Sequence, residues 1–295
     1  MATSAKSNDK GPTPPADRSS QPAPTDDDAM PVAAATIASG ATAAAAEVSG
    51  DDPLDSDVIL PFVGRSDEIL HIENFVRSAL SADRLSALWL QGQAGVGKSR
   101  LVDRLVEKFG QSVILLRARL YPNTPPSLSE SLLAGLVDAA DRYALDLDLP
   151  SKSATMPTLL GIVRGLVHRY PTILVLEDLH LLNEATSRDL STLLHGLEQE
   201  AIGVLVTARP TTAIAYGLLL PFLVATLELK PFDRDALDVL ARHFGHDPAQ
   251  LGNLLDYILA QTHGMPLALW SILQRITRDR EEFRRSPLRQ VRRIA

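Results

Sequence analysis

Gly92-Gln93-Ala94-Gly95-Val96-Gly97-Lys98-Ser99 is the stretch that decides the fold of this chain. It meets the phosphate-loop pattern G-x-x-x-x-G-K-[ST] in full. Glycines at 92, 95 and 97 let the backbone curl until its N–H groups point into a nest around a phosphate chain. A helix beginning near Lys98 aims its positive end at the same point. Lys98 adds a mobile cation for the β- and γ-phosphates, and Ser99 a hydroxyl ligand for Mg²⁺. The expected ligands are therefore ATP or ADP with Mg²⁺, contacted by residues 92–99 and the adjoining Arg100.

The flanks place this loop between a strand and a helix. Ala87 to Leu90 is a short apolar run that stops at Gln91-Gly92, and Ser99 to Phe109 has helical spacing at Leu101, Leu105 and Phe109. Further apolar runs lie at Val113–Leu116, Ile173–Leu176, Ile202–Val206 and Ala225–Leu229. Amphipathic stretches at Glu68–Leu80, Ser127–Tyr143, Pro157–His168 and Ala185–Leu197 separate them. Buried runs alternating with helices predict an α/β fold, a parallel five-stranded sheet flanked by helices on both faces. After Lys230 the pattern becomes all helical, at Asp233–Phe244, Pro248–Gln261 and Pro266–Ile276, which predicts a small appended module.

The run Ile173-Leu174-Val175-Leu176 ends in Glu177-Asp178. A strand end brings both acids to the carboxyl edge of the sheet, where ligands bind in open α/β folds. One acid can hold Mg²⁺ and the other can orient an attacking water, so Ser99, Glu177 and Asp178 are the candidate metal residues.

Charge is distributed unevenly over the 295 residues. Residues 1–57 hold ten acids against three bases, and the rest of the chain is balanced. That Ala/Pro-rich, non-aromatic segment cannot bury enough surface to offset its ordering entropy and is expected to be a disordered acidic leader. From Arg275 to Ala295 eight arginines face three acids, so residues 279–295 read as a basic tail able to meet nucleic acid or an acidic partner, or as a solvated helix end. The expected layout is a leader at 1–57, an α/β domain at 58–230, a helical module at 231–278 and the tail at 279–295. The absence of cysteine excludes disulfides and thiolate metal sites and fits a reducing cytoplasm. The longest weakly apolar stretch, Met30 to Val48, is mostly alanine, so no membrane span is expected.

Four further segments fall in order around the loop: Phe62-Val63-Gly64-Arg65, Glu177-Asp178-Leu179-His180, Val204-Leu205-Val206-Thr207-Ala208-Arg209 and His263-Gly264-Met265-Pro266-Leu267-Ala268-Leu269. Together with the loop, over roughly residues 60–278, they resemble the ATPase domain of the STAND class of AAA+-related P-loop NTPases. The likeness is greatest to the bacterial AAA-type ATPase domains of transcription regulators and cyclase-linked signalling proteins. The resemblance implies an ASCE-type sheet with the fourth strand between the first and third. It implies Val63 and Arg65 beside the adenine and ribose, Pro266 packing on the base from the lid, and Thr207 and Arg209 at the sensor position, with Arg209 near Lys98 and Glu177. Lys98, Glu177, Asp178 and Arg209 are then the candidate catalytic set. Glu177 departs from the family's usual Asp, so the split of roles with Asp178 stays open, as do slow hydrolysis and none. The bland readings are that Arg209 is a solvated strand end, Gly264 and Pro266 start a helix, His180 is a polar residue at a strand exit, and Trp89 and Trp270 are packing residues. The winged-helix module that usually follows, with its switch histidine, has no counterpart here; a fragment, a stand-alone ATPase and a subunit with its sensor on another chain all remain open.

The functional expectation is a slowly hydrolysing regulatory ATPase whose lid closes on ATP, changing its binding to a protein partner or its self-association. The alternatives are an initiator- or loader-like AAA+ ATPase acting on DNA and a non-hydrolysing nucleotide-binding scaffold.

Overall fold

The computed structural model describes residues 62–121, 127–151, 153–210 and 213–278. The leader at 1–57 and the basic tail at 279–295 lie outside the described residues.

Five parallel strands form one sheet: β1 (Ser86–Gln91), β2 (Ile114–Arg119), β3 (Thr172–Glu177), β4 (Gly203–Ala208) and β5 (Leu223–Glu228). Their order is β2-β3-β4-β1-β5, with β4 between β1 and β3 as expected. The register aligns Gln91 with Ala208 and Leu176 with Val206, so the carboxyl ends of β1, β3 and β4 form a continuous edge.

Side chains alternate between the two faces of the sheet. Leu88, Leu90, Leu115, Val175 and Leu205 face a core shared with α1 (Ser66–Leu80) and α2 (Lys98–Phe109). Trp89, Leu116, Leu174, Leu176 and Val206 face the opposite core, shared with α3 (Leu128–Tyr143), α4 (Met156–Val167), α5 (Glu184–Leu197) and α6 (Ala213–Leu219). Covered on both sides, β3 and β4 are buried along their whole length, which is why they read as unbroken apolar runs. β5 lies at the sheet edge and keeps Val224, Ala225 and Thr226 exposed.

Helix starts follow local chemistry. Ser127 and Glu130 make a capping box on α3, and Asn183 with Thr186 does the same for α5. Pro157 sits in the first turn of α4, where its missing N–H costs nothing. α6 was not expected: seven residues of mostly apolar sequence are too few to show a helical period.

After β5, α7 (Arg234–His243), α8 (Pro248–Thr262, interrupted at Gly252) and α9 (Pro266–Arg278) pack around their own core of Leu237, Leu255, Ile258, Leu269 and Leu273. Val63 joins that core from the start of the described chain. The turn before α9 is pinned to the exit of β5: the Phe232 N–H donates to the Gly264 carbonyl at 2.7 Å. Gly264 has φ +70°, and a Cβ there would lie 2.2 Å from the Phe232 oxygen, so only glycine allows the contact.

Candidate nucleotide site

The phosphate loop leaves β1 at Gln91 and enters α2 at Lys98. Gly95 and Gly97 have φ +77° and +102°. A Cβ on Gly92 would stand 2.7 Å from Val96 Cγ1 and 3.1 Å from the Leu229 carbonyl, so the loop closes only around glycine. No side chain caps α2 and its first turn holds no acid, which leaves its N-terminal amides and dipole directed at an anion. Gln93, Ala94 and Gly95 are exposed.

Lys98 is 8% exposed and its Nζ donates to the carbonyls of Gly92 at 2.7 Å and Gln93 at 3.0 Å. Burial depresses its pKa, Asp178 pulls the other way, and Arg209 depresses it further. A buried, desolvated ammonium has the most to gain from an arriving polyphosphate. Ser99 is the second residue of α2, beside the same amides.

Of the two acids at the end of β3, Glu177 is closed to solvent and Asp178 is partly exposed. Glu177 is 1% exposed, and its Oε1 accepts from Arg117 Nε at 3.0 Å and Nη2 at 2.6 Å. The third guanidinium nitrogen, Nη1, donates to Asp103 of α2 at 2.9 Å. Burial works against the Arg117 charge, but Glu177 and Asp103 outweigh it and raise its pKa. Arg119, two residues along β2, donates to Asp178 at 3.1 Å. Both acids thus carry an arginine from the neighbouring strand. Sequence reasoning missed this pair, because the apolar run read as the strand stops at Leu116 and the partners lie about 60 residues away.

Asp178 has left-handed backbone, φ 61°, and its N–H donates to Thr207 Oγ1 at 3.1 Å. The peptide after β3 is therefore held by the end of β4. His180 follows in a 3₁₀ turn, with Nδ1 at 3.9 Å from Asp178 Oδ1. Burial and Arg209 lower its pKa, Asp178 opposes them, and Lys98 adds to the lowering. Arg209, just beyond β4, so acts electrostatically on the same cluster as Lys98 and Asp178, although its side chain is exposed.

The second part of the site lies between sheet and helical module. A cavity of about 160 Å³ is lined by Phe62, Val63, Phe232, Leu240, Pro266, Leu267 and Trp270, with Arg65, Arg100 and the loop residues Gly95, Val96 and Gly97. Arg65 is left-handed, φ 66°, at the N-cap of α1. Its guanidinium donates to Glu68 at 2.8 Å, to the Val96 carbonyl at 3.3 Å and to the Lys230 carbonyl, and it stacks 5.0 Å from the Phe232 ring centroid. Two of the four described non-glycine residues with left-handed backbone (Arg65 and His263) lie in or beside segments that line this cavity, and a third, Asp178, follows β3. Such strain persists only where surrounding structure enforces it. Val63, Arg65, Arg100 and Pro266 all line this cavity, and Trp270 lines it with them. Phe232 was missed, and Trp270 was read as a packing residue, because only the fold brings them to this cavity.

The donor set fits a nucleoside polyphosphate. The α2 amides, Lys98 and the glycine cradle suit the phosphates, and the apolar cavity suits a base. Glu177 Oε2 is buried with no hydrogen-bond partner, which leaves one carboxylate oxygen for a hard cation or its water. Residues 61–207 match the family model described as AAA ATPase domain.

The chain carries an AAA+-related P-loop ATPase domain.

Solved structures place that domain among known folds. The chain is similar to the Walker-type ATPase PABY2304 of Pyrococcus abyssi, with 15% identity over 78% of this chain and 71% of the other and a TM-score of 0.56. It is similar to the ORC2 protein of Aeropyrum pernix in its ADP form, with 18% identity over 81% and 70% and a TM-score of 0.57. It is also similar to the ORC1 protein of Aeropyrum pernix in complex with DNA, with 16% identity over 79% and 65% and a TM-score of 0.54. No curated protein matches the chain by sequence. No described helix is long and apolar enough to cross a membrane.

Proposed function

We propose that this chain is a slowly hydrolysing ATP switch of the STAND or AAA+ type. Its helical module is a lid whose position follows the nucleotide and changes binding to a protein partner or to a second copy. The observation that carries the reading is Arg65. One buried-facing guanidinium joins the loop carbonyl of Val96, the Lys230 carbonyl at the exit of β5 and the ring of Phe232 at the start of the lid. Any ligand that shifts the loop at Val96 pulls on the segment that carries the lid. A switch of this kind needs a ligand contact that differs between its two states, and the γ-phosphate supplies one.

The roles proposed for the site follow from its chemistry. Lys98 and the amides of residues 92–100 hold the phosphates. Ser99, with Glu177 or Asp178, holds Mg²⁺, which when bound neutralises developing charge on the transferred phosphoryl group. Asp178 is the better placed acid to orient water, since it is less buried than Glu177 and sits beside Lys98 and Arg209. Arg209 responds to the γ-phosphate. The arginine held by each acid supports slow turnover, because the guanidinium competes with Mg²⁺ and water for the carboxylate oxygens.

The test is ATP turnover by the purified chain together with its mass in ADP and in a non-hydrolysable ATP analogue. The expected result is slow hydrolysis with a change of mass between the two nucleotides. Turnover without any change of mass or partner affinity would remove the switch, and tight binding without turnover would leave a scaffold.

A second reading, an ATPase that acts on DNA, is favoured by the arginine-rich stretch Arg275 to Arg293 and by the DNA-complexed ORC1 neighbour. It requires duplex DNA affinity that falls steeply with salt and a turnover rate that responds to DNA.

A further inference from the structure

The chain has two tryptophans, and they differ in one respect that bears on the cleft. Trp89 lies in the middle of β1, 1% exposed, and its indole N–H donates to Gln91 Oε1 at 3.3 Å. Trp270 lies on α9 one turn beyond Pro266, lines the cavity with Pro266 and Leu267, and its Nε1 is buried with no hydrogen-bond partner. Residues 266, 267 and 270 share one helix face, so the ring is presented to the same space as the proline. The ring is set from behind by Phe244, edge-on at 6.4 Å between centroids.

A buried donor without an acceptor is destabilising, and indole N–H groups usually find a partner when buried. Here the cavity walls are mostly apolar, and the guanidinium groups of Arg65 and Arg100 among them carry only donors, so they offer an indole N–H no acceptor. Purine rings offer what is missing: a flat face for an aromatic wall and in-plane nitrogen acceptors for one donor. Resting on the nucleotide reading above, we infer that Trp270 is a base-contacting residue, giving its ring edge and N–H to the purine of the bound nucleotide. The lid then reads the base, while the loop reads the phosphates. A nucleotide supplies the acceptor that the protein itself does not give the Trp270 N–H.

The test uses the full chain, Trp270→Phe and Trp89→Phe, each titrated with ADP and with inorganic tripolyphosphate by calorimetry and tryptophan emission. The expected result is an emission change with ADP that is lost in Trp270→Phe and kept in Trp89→Phe. Trp270→Phe should bind ADP about three- to tenfold more weakly, the worth of one net hydrogen bond. It should bind tripolyphosphate as the parent does. Without nucleotide its melting temperature should be unchanged or higher, because an unpartnered buried donor has been removed. Unchanged ADP affinity in Trp270→Phe would overturn the assignment. So would an equal loss for ADP and tripolyphosphate with a lower melting temperature, which marks a packing residue. Failure of the parent chain to bind either ligand would defeat the nucleotide reading and this assignment with it.

Discussion

The two ends of the cleft are built by opposite means. The phosphate end is local, with Gly92 to Ser99 contiguous, and electrostatic, with Lys98, Asp178, Arg209 and the arginine-bound Glu177 coupled at short range. The base end is assembled from the segments around 62–65, 95–100, 232–240 and 266–270 and is mostly apolar. A contiguous loop is preformed by its own backbone and needs little from the rest of the fold. An apolar pocket exists only while sheet and lid are held together by contacts such as Arg65 with Lys230 and Gly264 with Phe232. The difference predicts that substitutions at the two ends act differently on phosphate binding and on the helical module, with Arg65 the contact that joins them.

The largest effect is expected from Arg117→Met. It leaves Glu177 charged and unpaired in the interior and should cost about 3–5 kcal/mol in urea unfolding. The double variant Arg117→Met with Glu177→Met should recover most of that loss without recovering turnover. If the single variant is neutral, the charged phosphate end is not tied into the fold as described.

Lys98→Ala should come next. Losing charge-assisted contacts to the phosphates should weaken ADP and tripolyphosphate alike by about 100-fold or more, while the chain remains folded. Equal losses for both ligands are the signature of the phosphate end, checked by calorimetry.

Gly264→Ala separates the two ends. A Cβ at φ +70°, 2.2 Å from the Phe232 oxygen, forces the turn before α9 away from the exit of β5. Overpacking and strain of this kind cost about 1–3 kcal/mol. ADP affinity should fall by roughly tenfold or more, with tripolyphosphate binding retained. Parallel loss of both ligands would show that the lid turn and the loop form a single unit.

The smallest effect is expected from Thr207→Val, which removes the acceptor for the Asp178 N–H and should cost about 1 kcal/mol in stability. Its larger consequence should appear in kcat, with KM nearly unchanged, because the strained peptide that aims Asp178 is released.

Much of this was legible in the chain. The phosphate loop, all five strands, eight of the nine described α-helices and the acidic strand end follow from periodicity, turn chemistry and one contiguous pattern. These features depend on neighbours in sequence, and alternation or 3.6-residue spacing encodes them directly. α6 was hidden because it is shorter than the period needs, and the exposure of β5 was hidden because edge position is a property of the sheet and not of the strand.

What the sequence determined by itself was therefore the polyphosphate cradle and the layered α/β scaffold that carries it, since both are written in short-range order. Only the tertiary structure decided that Arg117 and Arg119 neutralise the acids of the next strand, that Arg65 joins loop to lid, and that Trp270 faces the cavity. Each of those contacts spans tens to more than a hundred residues of chain. The energy that selects them comes from pairing buried charge and covering apolar surface in three dimensions, which no local pattern records.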